Sequence, residues 1–310
     1  MRIVFMGTPV VAAISLERLL ESRHQVAGVV TQPERPAGRG QKPIASPVQR
    51  IAESRDIAVL APEKVRDPAF LAALGTWAPE IIVVVAYGRI LPRQILELAP
   101  HGCLNVHYSL LPKYRGAAPV AWAVINGEAK SGVTTMHLVE KMDAGPILLQ
   151  RELPLAPDET TASLQTRLAP LGAELLLETL AGIEAGTITA KPQDESAATL
   201  APMLKKEDGL IDWHLPAAAI ERRVRGFNPW PTAYTHVNGQ ILKIHRARIE
   251  ADQKGAPGEI LRADRGGFCV ATGEGVLGLE EVQLENRKRV SASEFLNGAR
   301  IEKGALLGAA

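Results

Sequence analysis

Residues 81–86 read Ile-Ile-Val-Val-Val-Ala, the most apolar run in the chain. A β-branched run with no polar alternation suits a strand covered on both faces, as in the middle of a parallel sheet flanked by helices. The neighbouring sequence supplies the flanks. Short apolar runs at 2–6, 26–31, 57–60 and 102–107 alternate with helix patterns opening at Pro9, Ser46-Pro47, Pro68 and Leu91. Pro9 suits a first helical turn, and Ser46 followed by Pro47 reads as a cap and a first helical position. This alternation predicts an α/β fold with a doubly wound, mostly parallel, Rossmann-like sheet. Further helices are expected over 118–126 and 161–182, and strands over 132–138 and 146–155.

The pattern changes near residue 187. Residues 187–206 have small polar residues, two prolines and no periodicity, and read as an extended linker. Beyond them a helix at 216–225 precedes short β-type runs at 232–237, 240–248, 258–263, 267–271 and 275–283. Asn238-Gly239 between two of these runs is a hairpin signal. Short strands with frequent glycine turns predict a C-terminal OB-like β-barrel. The expected organisation is an α/β domain over 1–186, a linker over 187–206 and a barrel domain over 207–310.

Composition excludes several classes of function. The net charge of +1 over 310 residues gives no global preference for a polyanion, so any nucleic-acid surface must be local. Two cysteines, Cys103 and Cys269, rule out a disulfide framework and are expected to be buried, reduced thiols. Neither has a partner at zinc-ligand spacing, and no metal is expected. The N-terminus enters a strand at once, unlike a signal peptide, and no apolar run reaches the ~18–20 residues of a membrane span. The protein is expected to be cytoplasmic. Gly7 is a single glycine where a dinucleotide site would have Gly-x-Gly-x-x-Gly, which disfavours a nicotinamide cofactor and reads as a tight turn.

In doubly wound sheets, ligands sit beyond the carboxyl ends of the strands. The strand ending at His107 puts Asn105 and His107 on one face of that rim. Asparagine can donate to a developing oxyanion, and histidine can move a proton near neutral pH. Asp143, in Lys-Met-Asp-Ala-Gly, is the candidate to orient His107 and favour its charged form. The same residues also fit a structural role, with Asn105 and His107 satisfying each other or the backbone and Asp143 shaping a turn. A second candidate is the loop 33–47, with Arg35, Arg39, Lys42, two glycines and four prolines. A basic loop of this length suits a phosphate backbone or is simply a solvated, flexible segment. Basic clusters also occur at Lys205-Lys206, Arg222-Arg223-x-Arg225, Lys243-x-x-Arg246-x-Arg248 and Arg287-Lys288-Arg289. Arg246 and Arg248 share one face of a predicted strand, and the set favours nucleic-acid binding on the barrel.

Asn105-x-His107-x-Ser109-Leu110-Leu111-Pro112, then Tyr114-Arg115-Gly116, then Asp143-Ala144-Gly145, resembles the folate-dependent formyltransferases. The resemblance implies an enzyme with Asn105, His107 and Asp143 as catalytic trio. It also implies that Ser109, Leu110, Leu111 and Pro112 form a folate-contacting turn, that 10-formyltetrahydrofolate is the donor, and that no metal takes part. Asn105 and a protonated His107 are then expected to stabilise the oxyanion. Tyr108 departs from the pattern, which has a small glycine there, and its ring is expected to narrow the pocket mouth or alter the turn. The opening Ile3-Val4-Phe5-Met6-Gly7-Thr8-Pro9, the loop 31–40 and Phe227-Asn228-Pro229-Trp230-Pro231 are similar to the family members that act on charged tRNA. That implies initiator methionyl-tRNA as acceptor, a role in translation initiation, a monomer, and Arg39, flanked by Arg35 and Lys42, as the tRNA-contacting group. Two rivals remain: a formyltransferase for a small amine, and a non-catalytic RNA-binding module.

Overall fold

A computed structural model describes residues 1–37, 42–251, 253–299 and 301–308. The chain divides into two compact units, Met1–Pro119 with Lys130–Pro154 and Gln165–Pro202, and Val120–Ala129 with Leu155–Leu164 and Met203–Ala310.

The first unit is built on strands β1 (Arg2–Gly7), β2 (Gln25–Val30), β3 (Arg35–Ala37), β4 (Lys42–Ile44), β5 (Val59–Leu60), β6 (Ile81–Val85), β7 (Cys103–His107), β8 (Arg115–Gly116), β9 (Lys130–His137), β10 (Ile147–Pro154) and β11 (Leu200–Ala201). Its helices are α1 (Val10–Leu20), α2 (Pro47–Ser54), α3 (Pro68–Thr76) and α4 (Arg93–Leu96). Helix α5 (Pro119–Ile125) lies almost wholly in the second unit, and α6 (Thr161–Glu184) joins the first unit from Gln165 onward. The main sheet has the order β10-β9-β7-β6-β1-β2-β5. From β5 to β7 all pairings are parallel, and β9 and β10 add an antiparallel edge. The chain winds outward from β1 to β5 and returns to β6 on the other side of β1, as a doubly wound sheet requires. All five residues of β6 are buried, as its unbroken apolar run predicts.

Local signals act where expected. The Ser46 hydroxyl caps α2 by accepting the Gln49 amide at 3.0 Å. Gly7, read from the sequence as a tight turn, is instead the last residue of β1 and a close-packed site, where a Cβ would meet Ala12, Phe5 and the Val85 carbonyl within 3 Å. Val4, Met6, Val30, Ile82, Val84 and Cys103 share one core cluster with Phe70 and Leu74 of α3. By strand alternation Asn105 and His107 continue the Cys103 face, and Leu104 and Val106 point the other way. Residues 187–202 belong to the first unit. They are bonded to it by β11, which pairs in parallel with β8, and by a bridge between Lys191 and Ile147.

The second unit carries α7 (Ala217–Gly226), β12 (Ala233–Val237), β13 (Gln240–Glu250), β14 (Ile260–Asp264), β15 (Gly267–Ala271), β16 (Val276–Leu284), β17 (Val290–Ser291) and α8 (Ala292–Gly298). The strands form one antiparallel, barrel-like sheet in the order β12-β13-β16-β15-β14, with β17 beside β16. Asn238 and Gly239 take φ of 48° and 72° and join β12 to β13 as a two-residue hairpin. Among the described residues no helix is long and apolar enough to cross a membrane.

Candidate active site

Parallel pairing with β6 sets Asn105 opposite Val84, and His107 is the last residue of β7. Both side chains are buried, at 9% and 6% exposure, which leaves each a narrow opening. Antiparallel pairing with β9 brings Met136 beside Asn105 and Thr134 beside His107. The loop after β9 then carries Asp143, at a φ of 49° that non-glycine residues seldom adopt. Two residues on, Gly145 lies so close to the His137 carbonyl that any Cβ would overlap it.

Asp143 and His107 meet. Oδ2 of Asp143 lies 3.7 Å from Nδ1 of His107. The same oxygen accepts the Gly116 amide at 2.8 Å. On the far side of the ring, Nε2 of His107 lies 2.9 Å from the Tyr114 carbonyl, which can only accept. The proton of the neutral imidazole is therefore on Nε2, and Nδ1 carries the lone pair beside Asp143. Burial pushes the His107 pKa below its ordinary value, against the opposing pull of the Asp143 carboxylate and the Tyr114 carbonyl. The resting ring is therefore held toward its neutral form. Asp143 does favour the charged form, but the cost of desolvating it outweighs that pull.

The turn after β7 is held from below. The Thr134 hydroxyl donates to the Ser109 carbonyl at 2.6 Å and accepts the Leu111 amide at 3.1 Å. Gln150 donates to the Leu111 carbonyl at 2.8 Å and to the Thr134 hydroxyl at 2.9 Å. The Ser109 hydroxyl donates to the Lys113 carbonyl, so it shapes the turn. Leu111 is buried, and Leu110 fits against Gly132, where a Cβ would come within 2.5 Å of it. Tyr108 lies away from the site. Its ring is buried on the opposite face of the strand, over Gly172 of α6, where a Cβ would stand 3.0 Å from the ring.

The sequence offered no sign of Thr134, Gln150 or Gln193. The last donates from Nε2 to the carbonyls of Asp143, at 2.8 Å, and Gly145, at 2.7 Å. Arg39 lies outside the described residues, and Arg35 and Lys42 sit on the two strands of the β3–β4 hairpin. Among the described residues no group of three His, Cys, Asp or Glu could hold a metal ion. Cys103 and Cys269 are free and buried.

The comparisons with known proteins match this architecture. Residues 1–180 match the formyl transferase family and residues 203–300 its C-terminal domain. The methionyl-tRNA formyltransferase of Geobacter sulfurreducens is 49% identical, over 100% of this chain and 98% of its own. The chain belongs to the methionyl-tRNA formyltransferase family. The Solibacter usitatus member is 51% identical, over 99% of both chains. HypX from Aquifex aeolicus, solved in complex with tetrahydrofolic acid, shares the fold, with a TM-score of 0.66 at 22% identity over 99% of this chain and 50% of that one.

Four arginines of the second unit's basic clusters are ion-paired. Arg246 pairs with Glu280, Arg248 with Glu250 and Glu280, and Arg289 with Glu281. Arg225 is held by Glu221. The shared strand face of Arg246 and Arg248 is thus charge-balanced. Lys206 and Lys243 are different. They line a cleft of about 290 Å³ with Trp230, Tyr234 and Ile241, and neither pairs with a described carboxylate. Phe227 is buried as a structural residue, whereas Trp230 is 53% exposed.

Proposed function

We infer that the chain transfers the formyl group of 10-formyltetrahydrofolate to the α-amino group of methionine on charged initiator tRNA, in the cytoplasm, at a site formed by Asn105, His107 and Asp143. The observation that carries this reading is the buried imidazole whose lone-pair nitrogen lies 3.7 Å from the Asp143 carboxylate, at the end of β7. Relatives named for methionyl-tRNA, 49% identical over the whole chain, support the acceptor. The turn 109–112, tied down by Thr134 and Gln150, supports a folate contact. Ile90, in the loop after β6, and Met142, beside Asp143, are exposed apolar side chains of the kind a flat heterocycle covers.

The donor supplies an already activated formyl group, so no step calls for a metal. The Asn105 carboxamide donates a hydrogen bond to the formyl oxygen as negative charge gathers there. Nδ1 of neutral His107 takes the proton that the attacking amine loses and returns a proton to the departing folate nitrogen. Between the two transfers Asp143 stabilises the imidazolium.

Purified protein with 10-formyltetrahydrofolate should formylate charged initiator tRNA and leave elongator methionyl-tRNA and free methionine unchanged. Asn105→Ala should lose roughly 10²–10³ in turnover, as for an oxyanion donor. Near wild-type turnover would remove Asn105 from the site. Formylation of free small amines in preference to tRNA would favour the small-acceptor reading.

A further inference from the structure

Residues 193–201 run beside the site and grip it at several points. Gln193 is part-buried, and each half of its carboxamide is committed. Nε2 donates to the carbonyls of Asp143 and Gly145 at 2.8 and 2.7 Å, and Oε1 accepts Nε and Nη2 of Arg115 at 3.0 and 2.7 Å. Arg115 is only 4% exposed. Its remaining N–H groups form a bidentate pair with Glu195 at 3.1 and 2.9 Å. Glu195 also holds Lys141, from the Asp143 loop, at 2.6 Å. The two cations keep the Glu195 carboxyl at about 2.

The residues on either side of Arg115 touch the reacting pair. Tyr114 offers its carbonyl to His107, and Gly116 offers its amide to Asp143. The strap fixes this stretch as well. The Thr199 hydroxyl accepts the Tyr114 amide at 2.9 Å, the Thr199 carbonyl accepts the Arg115 amide at 2.9 Å, and β11 pairs with β8. One segment thus restrains the backbones that set both ends of the His107–Asp143 contact. Asp143 needs such restraint, because its φ of 49° is unfavourable for a side chain and its loop carries no regular structure.

We propose that Gln193 is a positioning residue for the proton-transfer step, acting through Asp143 with its own carboxamide oriented by Arg115. The proposal rests on the reading of Asn105, His107 and Asp143 as the catalytic trio. The shortest path from Gln193 to the reacting pair is its donor group, which holds the backbone of Asp143 itself. Removing its donor frees the Asp143 and Gly145 carbonyls and lets the carboxylate drift from Nδ1. Asp143 is the charged group facing the imidazole, since Arg115 and Lys141 are both directed at Glu195. A looser Asp143 would leave His107 a weaker base.

The test uses the full chain with charged initiator tRNA and 10-formyltetrahydrofolate. Gln193→Ala should lower kcat about 10²-fold, the effect of a misplacement near 1 Å, with KM for the folate unchanged. The acidic limb of its kcat/KM profile should move to lower pH. Gln193→Glu keeps the Arg115 contact and loses the donor, so it should behave alike if Gln193→Ala folds poorly. In a double-mutant cycle, Gln193→Ala added to Asp143→Asn should cost little more than Asp143→Asn alone. Full additivity, or a reduced rate with an unshifted pH profile, would overturn the proposal and leave Gln193 a purely structural residue. A fully active Asp143→Asn would instead remove the trio reading on which the proposal stands.

Discussion

Asp143 faces the one nitrogen of His107 that is free to take a proton. Nε2 is committed to the Tyr114 carbonyl at 2.9 Å, and Nδ1 stands 3.7 Å from the Asp143 carboxylate. Asparagine at position 143 could still accept the Gly116 amide, so Asp143→Asn isolates charge from geometry. Asp143 is the stronger of the two influences that raise the His107 pKa, and without it burial lowers that pKa further. The acidic limb of kcat/KM should therefore move to lower pH, and turnover should fall by roughly 10²–10⁴, the usual contribution of general acid–base chemistry. A pH–rate profile of the two proteins decides the matter, and superimposable limbs would exclude the charge coupling.

Four histidines contribute a pH dependence to stability near neutral pH. His24, His107, His137 and His245 are all held below their ordinary value of 6.5, each mainly by burial. For each, the unfolded chain binds the proton more readily than the folded one. Stability therefore rises with pH through this window and is lost as pH falls below about 6.5. The carboxylates held low, Glu195 and Glu281 among them, start from 4.5 and act only in more acidic solution. Thermal unfolding should show a lower Tm at pH 5.5 than at pH 7.5. A flat Tm across that range would contradict the burial of these rings.

Tyr108 should matter for folding and not for chemistry. Its ring fills the space over Gly172 on the side of β7 away from Asn105 and His107. Tyr108→Ala should cost about 3–5 kcal/mol in urea unfolding, as for other buried aromatic deletions. The folded fraction should keep wild-type kcat. The hydroxyl is buried beside Ser15 without hydrogen-bond geometry, so Tyr108→Phe should change stability by less than about 1 kcal/mol. A larger loss on hydroxyl removal would show that the group has a partner.

Local rules carried much of this fold. The unbroken apolar strand β6, the Ser46 cap and the Asn238-Gly239 turn each act within a few residues, so the sequence displays them directly. Asn105 and His107 were legible because strand alternation puts them on one face. Asp143 was legible because it follows a strand, β9, that runs beside theirs. Tyr108 was misjudged, since the same alternation turns it into the core, but Gly172, which makes room for it, lies on a distant helix. Gln193 was invisible for a related reason. It reaches across 50 residues to the Asp143 carbonyl, and no periodicity encodes that hydrogen bond. The pairing of Arg246 and Arg248 with acids on β16 likewise depends on strand register.

That pairing changes which cations of the second unit should meet a phosphate backbone. Arg246 and Arg248 face Glu280 and Glu250, so releasing them toward a polyanion costs an existing ion pair. Lys206 and Lys243 carry no such cost, and the exposed Trp230 beside them offers a ring on which a base can stack. Removing Lys206 and Lys243 together should weaken initiator tRNA binding at every salt concentration. It should also flatten the slope of log K against log salt by roughly 0.7–0.9 for each phosphate that is no longer neutralised. Arg246→Gln with Arg248→Gln should leave that slope nearly unchanged. Binding measured from about 50 to 200 mM salt compares the two double variants, and the opposite ranking would return the phosphate-binding role to the β13 arginines.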